Sequence, residues 1–327
     1  MADELWAIVP ALDLVDLTLQ TCEDLLAQSI PVRVLLIDQG SSTESNDAFR
    51  AFADHHHPRV LLWSFTTPLP SLSAAWNAGL RFVWSLGHEE AWVCNSDVRV
   101  HPEMATELRQ VRQETGALFV TGVGVTAAQF ANFAMQAYEL DTRQHGGPDF
   151  SCFLTTKAGH DRYPFDEAFI PAFMEDCDLH RRYMLGGDGA KIFSINLPFH
   201  HIGGGSRTIN QSDAARAKFE RVAGIGRAYY HAKWGGGPNH ETFVDPFGPV
   251  QYPHATNPEL QANLQAGRAA LESPDHELSS EDAIHAVELA LTEKMAAIRA
   301  RETREAAEPL GPDSFPGSDF PDPEIPF

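Results

Sequence analysis

The sequence predicts an α/β fold, a mostly parallel central sheet flanked by helices. Three observations carry this. Short continuous apolar runs, such as LWAIVPA at 5–11 and VRVLLID at 32–38, alternate with helical patterns. Turn chemistry such as Gln39-Gly40-Ser41-Ser42 ends the runs. The runs show little polar alternation, as expected of strands covered on both faces. Element by element, 5–11 reads as a strand and Asp13 to Gln28 as a helix carrying Leu14, Leu17, Leu25 and Leu26. A strand at 32–38 precedes a helix from about Glu44 to Asp54 and a strand at 59–65. A helix over Leu72–Leu86 precedes the buried run AWVCN at 91–95, and 117–125, 150–156 and 190–196 supply further strands. Strands feeding helices in this order are βαβ units.

Beyond His201 the texture changes. Glycine runs at 203–205 and 235–237 bracket a helical stretch over about 211–233. The expected organisation is a main domain at 1–237, with halves at about 1–125 and 126–237. A proline-rich extended connection at 238–278, a helix at 279–308 and an acidic proline-rich tail at 309–327 follow. The helix opens at Ser279-Ser280 and carries Ile284, Val287, Leu291, Met295 and Ile298 on one face. That stripe would dock on the body or support a homodimer.

The chain has 327 residues, 43% of them hydrophobic, enough for a substantial core. Its 45 acidic residues against 24 Lys+Arg give a formal charge of −21, which disfavours nucleic acid and anionic lipid as partners. An anionic small substrate would have to be met by a metal ion, backbone amides or a few placed side chains. No apolar stretch is long enough for a membrane helix, the first residues lack the pattern of a secretory signal, and the four cysteines are scattered. A cytoplasmic location is the expectation.

Four constellations bear chemistry. Asp38 ends an apolar run, where an acid accepts hydrogen bonds either from a ligand or from its own turn. Asn95-Ser96-Asp97 leaves the next buried run, a place where a carboxylate can hold Mn²⁺ or Mg²⁺ or cap a turn. Around 165–179, FDEAF and EDCDL concentrate carboxylates. Glu175 and Asp176 fall in the first turn of a predicted helix, and Asp178 lies one turn before Arg182. One of them facing a cleft would serve as a general base. Last comes His200-His201 before three glycines, with imidazoles able to ligate Mn²⁺. His55-His56-His57 has no such context and reads as a solvated loop.

Taken in order, these parts resemble the GT-A fold glycosyltransferases, most closely the large family-two group that uses nucleotide-diphosphate sugars. The resemblance runs from residue 5 to about 237. It rests on VRVLLIDQGSS, SAAWNAG (73–79), WVCNSDVRVHPE, YPFDEAFIPAFMEDCDLHRR, His-x-Gly-Gly-x-Ser at 201–206, and YYHAKWGGGP. It implies an inverting, metal-dependent transfer from a nucleotide-diphosphate sugar, with UDP the expected carrier, to a hydroxyl-bearing acceptor. That acceptor could be a glycan, a protein, a small molecule or a modified nucleobase. It further implies that Asp38 binds the nucleobase, and that Asn77, Asn95 and Ser96 lie with it on the donor side. Asp97 and His201 would hold the Mn²⁺ or Mg²⁺, with His200 leaving the ligand open by one residue. Asp176 would be the base, with Glu175 orienting acceptor or sugar. Asn95 departs from the acid many members carry there, which favours an alternative, a catalytically silent binding module of the same fold. A sugar-1-phosphate nucleotidyltransferase would want a basic glycine-rich phosphate loop near the first strand, and IVPALDLVD offers none.

Overall fold

The computed structural model describes residues 4–135, 138–144, 150–202 and 213–248. The glycine run at 203–205, the connection beyond 248, the helix at 279–308 with its apolar stripe and the tail at 309–327 lie outside the described residues. In order, the elements are β1 (Leu5–Ala11), α1 (Val15–Leu26), β2 (Val32–Asp38), α2 (Thr43–His55), β3 (Val60–Ser64), α3 (Leu72–Ser85) and β4 (Glu90–Cys94). Next come β5 (Val98–Val100), α4 (Met104–Thr115), β6 (Phe119–Gly124), α5 (Ala127–Ala131), β7 (Thr142–Gln144), β8 (Cys152–Thr156) and α6 (Lys157–Arg162). The last are α7 (Glu175–Leu185), β9 (Ile192–His201) and α8 (Asp213–Trp234). The chain divides into two units, Met1–Thr256 and Asn257–Phe327.

The strands join one sheet in the order β3-β2-β1-β4-β8-β6-β9-β5, with β7 also on β9. β3, β2, β1 and β4 are parallel neighbours, and β6 is parallel to β9. β8 runs antiparallel between β4 and β6, and β5 and β7 pair antiparallel with successive stretches of β9. The fold class is therefore the expected one, a mostly parallel sheet between helices, with antiparallel insertions that apolar runs alone do not reveal.

Side chains sort to the two faces with the strand period of two. Leu5, Ala7, Val9, Val34 and Leu36 join one buried cluster with α1, α2 and α4, including Phe49, Leu108 and Leu197. Trp6, Ile8, Leu35 and Ile37 join the other, with Trp76, Leu80, Phe153 and Tyr183. A side chain at Gly79 would put its Cβ 2.6 Å from Ile8 Cγ2, so only glycine lets α3 lie this close to β1.

Two expectations change in detail. His55 ends α2, whereas His56 and His57 lie in the turn after it and His55 and His57 are exposed, so the histidine triplet is solvated as expected with only its first residue helical. Residues 238–248 are not an extended connection. After the turn at Gly235 they fold back on α8, where Thr242 and Phe243 N–H groups donate to Trp234 O at 3.1 and 2.9 Å. Among the described residues no helix is long and apolar enough to cross a membrane.

Candidate active site

The antiparallel insertions determine what meets at the carboxyl edge of the sheet. Because β8 runs against β4, with Cys94 opposite Cys152, Ser151 just before β8 lies beside the strand end, and Asn95 N–H donates to Ser151 O at 2.8 Å. Because β5 runs against β9, with Val98 opposite His201, the residue before Val98 is delivered to the end of β9. Asp97 Oδ1 lies 3.2 Å from His201 Nε2, and Ile202 N–H donates to Asp97 O at 2.8 Å. His201 Nδ1 lies 3.1 Å from Ser151 Oγ. Asn95 and Ser96 are half-buried in the same turn, and Asp97 is buried.

Buried Thr21 of α1 secures that turn from behind. Its hydroxyl donates to Val98 O at 2.9 Å and accepts from Val98 N–H at 3.2 Å, satisfying both backbone groups of the residue after Asp97. Strand alternation sends the two histidines to opposite sides. His200 points away and meets Val125 O through Nδ1 at 2.9 Å, leaving His201 to Asp97.

The pair fits a divalent ion. Two donors in adjacent positions of an octahedral ion, with bonds of ~2.1 Å, stand about 3 Å apart, close to the Asp97–His201 separation. Carboxylate and imidazole both suit Mn²⁺, and carboxylate suits Mg²⁺. Among the described residues no group of three or more His, Cys, Asp or Glu could hold a metal. Such a pair would leave other coordination positions to phosphate oxygens and water.

On the β1–β2 side, Asp38 is buried and both its oxygens are engaged. Oδ1 accepts from Ser41 N–H at 2.9 Å and Oδ2 from the Asn46 amide, which also reaches Ser64 Oγ at 2.8 Å. Asp38 thus closes its own turn, the structural alternative the sequence left open. Asp13, unnoticed in the sequence, supports the same loop. It accepts from Ser42 N–H at 2.9 Å and Ser45 Oγ at 2.8 Å, bonds that hold its carboxyl below the usual range. Asp13 and Leu14 both adopt left-handed backbone, φ 52° and 50°, at the mouth of this edge.

Asn77 does not open onto a donor cleft. It is buried, and its amide donates to Phe165 O and Glu167 Oε1, both at 2.8 Å. Its carbonyl accepts from Phe165 N–H at 3.1 Å and His160 Nε2 at 2.9 Å. Burial, then the charge of Arg81, pushes His160 down to about 4, so the ring stays neutral. With Trp84 Nε1 donating to its Nδ1 at 3.1 Å, the proton must sit on Nε2. Asn77 is a clamp between α3 and the segment leading to α7.

That segment ends in two more left-handed residues, Phe173 (φ 82°) and Met174 (φ 74°), directly before Glu175-Asp176. Glu175 is 6% exposed and its Oε2 has no hydrogen-bond partner among the described residues. Burial, then the neighbouring Asp176 charge, pushes its carboxyl up to about 8, so Glu175 is mostly protonated at neutral pH. Asp176 is half-buried and accepts from Cys177 N–H at 2.7 Å.

Asp178 faces inward instead. It is fully buried, accepting from Arg182 Nε at 2.8 Å and Trp234 Nε1 at 2.9 Å, with Lys233 Nζ against the same carboxylate. Lys233 also meets Asp166, 2.6 Å away, where Tyr229 OH donates at 3.0 Å. Burial works against the Asp166 charge, but Lys233, Ala168 N–H and Tyr229 outweigh it and hold the carboxyl below its usual value.

The fold and these groups define an α/β protein whose equipped edge lies outside the carboxyl ends of parallel strands, where such sheets bind ligands. No protein-family model and no curated protein matches the sequence. Among solved structures, the chain is similar to the mannosyltransferase PcManGT from Pyrobaculum calidifontis in complex with GDP-Man and Mn²⁺. The identity is 14%, covering 94% of this chain and 81% of that one, with a TM-score of 0.48. It is also similar to S. aureus TarS 1–349 in complex with UDP-GlcNAc, at 12% identity over 68% of this chain and 71% of that one, TM-score 0.46. The same TarS fragment in complex with UDP aligns at 11% identity over 69% and 72%, TM-score 0.44.

Proposed function

We propose that this chain is an inverting, metal-dependent glycosyltransferase. It moves a sugar from a nucleotide-diphosphate donor, with UDP the expected carrier, to the hydroxyl of an acceptor. The observation that carries the reading is the meeting of Asp97 and His201, far apart in sequence, at 3.2 Å on the sheet's carboxyl edge. Asp97 and His201 would hold Mn²⁺ or Mg²⁺. When bound, the ion neutralises charge building on the departing diphosphate, which suits an acidic protein with few cations to place there. The loop organised by Asp38 and Asp13 would receive the nucleobase, with Asn95 and Ser96 beside the diphosphate. Asn77 would act indirectly, through the 165–167 segment it clamps.

Asp176 is the base in this reading. It takes the acceptor hydroxyl proton as the oxygen forms its bond to the anomeric carbon and the bond from that carbon to the phosphate oxygen breaks. Attack from the face opposite the leaving group inverts the configuration. Glu175, protonated beside it, adds no second negative charge next to the base. Glycans, proteins, small hydroxylated metabolites and modified nucleobases are the candidate acceptors.

Asn95 favours a second reading, a silent binding module of the same fold, because a neutral amide contributes less to a cation site than an acid. Calorimetry with UDP and GDP, each with Mn²⁺ and with EDTA, on wild type and Asp97→Ala tests the first reading. One nucleotide should bind only with metal, and binding should be lost in the variant. No binding under any condition would sink it. Slow metal-dependent hydrolysis of a sugar nucleotide separates the enzyme from the silent module.

A further inference from the structure

We infer that Ser151 is a positioning residue that lets His201 exchange the Asp97 carboxylate for a divalent ion at Nε2 without turning its ring. The inference rests on the metal-site reading above and adds to it a residue to which the sequence attached no role. Asp97 Oδ1 lies 3.2 Å from His201 Nε2 as an ion pair. On the other side of the ring Ser151 Oγ lies 3.1 Å from Nδ1, a hydrogen bond whose direction follows the tautomer of the ring. An ion on Nε2 would require the ring hydrogen on Nδ1, whose partner must then accept. When Nε2 alone carries the hydrogen, that partner must donate.

A hydroxyl serves both states from one atom by rotating its hydrogen, whereas a methyl group serves neither and a carboxylate only the second. Ser151 is anchored for this task. It is 8% exposed, its carbonyl takes the Asn95 N–H at 2.8 Å, and the next residue, Cys152, pairs in register with Cys94. The same residue therefore joins the start of the Asn95–Asp97 turn to the ring that faces its end.

The test is Mn²⁺ binding in the presence of UDP, followed by the electron-spin-resonance signal of free Mn²⁺, for wild type, Ser151→Ala and Ser151→Thr. The alanine variant should bind Mn²⁺ about 10–100-fold more weakly, the usual effect of losing the partner of a ligating imidazole. Its metal-free melting temperature should stay that of wild type, and threonine, which keeps the hydroxyl, should retain affinity. An alanine variant that binds Mn²⁺ as tightly as wild type overturns the inference. A wild type that binds no Mn²⁺ overturns the metal site itself, a distinct result.

Discussion

Glu175 and Asp176 are neighbours in sequence at a helix start, yet burial makes them chemically different. Asp176 is half-buried and bonded to an amide, while Glu175 has lost its water and faces a like charge. A carboxyl whose folded pKa lies at about 8, above an ordinary 4.5, favours folding in its protonated form. That contribution is complete below pH 4.5 and disappears as pH rises toward 8, because the unfolded chain releases the proton first. Glu175→Gln keeps a neutral group of the same shape at every pH. The variant should therefore be more stable than wild type at pH 9 by roughly 3–5 kcal/mol, the difference closing toward pH 5. Urea denaturation across that range measures it, and parallel pH profiles would show that Glu175 is ionised in the folded protein. Asp176→Asn leaves the fold alone and removes a base, so kcat should fall by about 10²–10⁴-fold with little change in nucleotide affinity. Unchanged turnover would move the base elsewhere.

Between residues and fold, the element that decides whether Asp176 stays in place is the seam between α7 and α8. Lys233 inserts its ammonium between Asp166 and fully buried Asp178, which also hold Tyr229 OH and Trp234 Nε1, and the three aromatic rings of Phe169, Tyr230 and Trp234 cover the joint. Lys233→Met would leave buried Asp178 and half-buried Asp166 without their shared cation, at a cost of ~3–5 kcal/mol measurable by chemical denaturation. One helix turn pair away, Gly226 of α8 lies against the strained residues before α7. An added Cβ would come 2.5 Å from Phe173 O, a backbone atom unable to swing aside. Gly226→Ala should thus displace the 172–174 segment, costing about 1–3 kcal/mol and turnover as well, since the segment sets where Asp176 begins. Wild-type kcat in that variant would free the segment from any role in placing the base. This seam was only half legible in the sequence. The Asp178–Arg182 pairing follows from helical spacing, and the lysine-tryptophan pair was visible as a pattern. No spacing, however, could reveal that Lys233 bridges two acids from another part of the chain. Strands β2 and β6 were legible because continuous apolar runs mark two-sided burial. β5, three residues long, and α4, charged over most of its surface around Met104, Leu108 and Val111, fell below any periodic signal. Asp97 and His201 were legible as candidates, whereas Ser151 and Thr21 were not. A lone serine or threonine acquires its meaning from the antiparallel pairings that bring partners to it.

At the scale of the whole molecule, every group given a role here lies in one of the two units of the chain. The first unit, Met1–Thr256, contains the sheet, both cores, the Asp97–His201 pair, the Asp38 loop and the α7–α8 seam. Its closure is internal. Residues 239–248 return onto the end of α8, where Arg181 meets Glu241 at 3.4 Å and Tyr230 OH donates to the same carboxylate. A chain ended at 237 would remove those partners, leaving Arg181 in contact with the Trp234 ring but without Glu241 and the Phe243 carbonyl it bonds. A chain ended after Thr256 keeps them. The longer piece should accordingly melt cooperatively and bind UDP with Mn²⁺ as the full chain does, and the shorter one should lose stability. A tenfold weaker affinity in the 1–256 piece, about 1.4 kcal/mol, would mean that residues after 256 contribute to the site. Equal melting of the two pieces would mean that the return of 239–248 onto α8 stabilises nothing. Paired melting and calorimetry on the three lengths distinguish these outcomes, because the first concerns the ligand and the second the fold that holds its site.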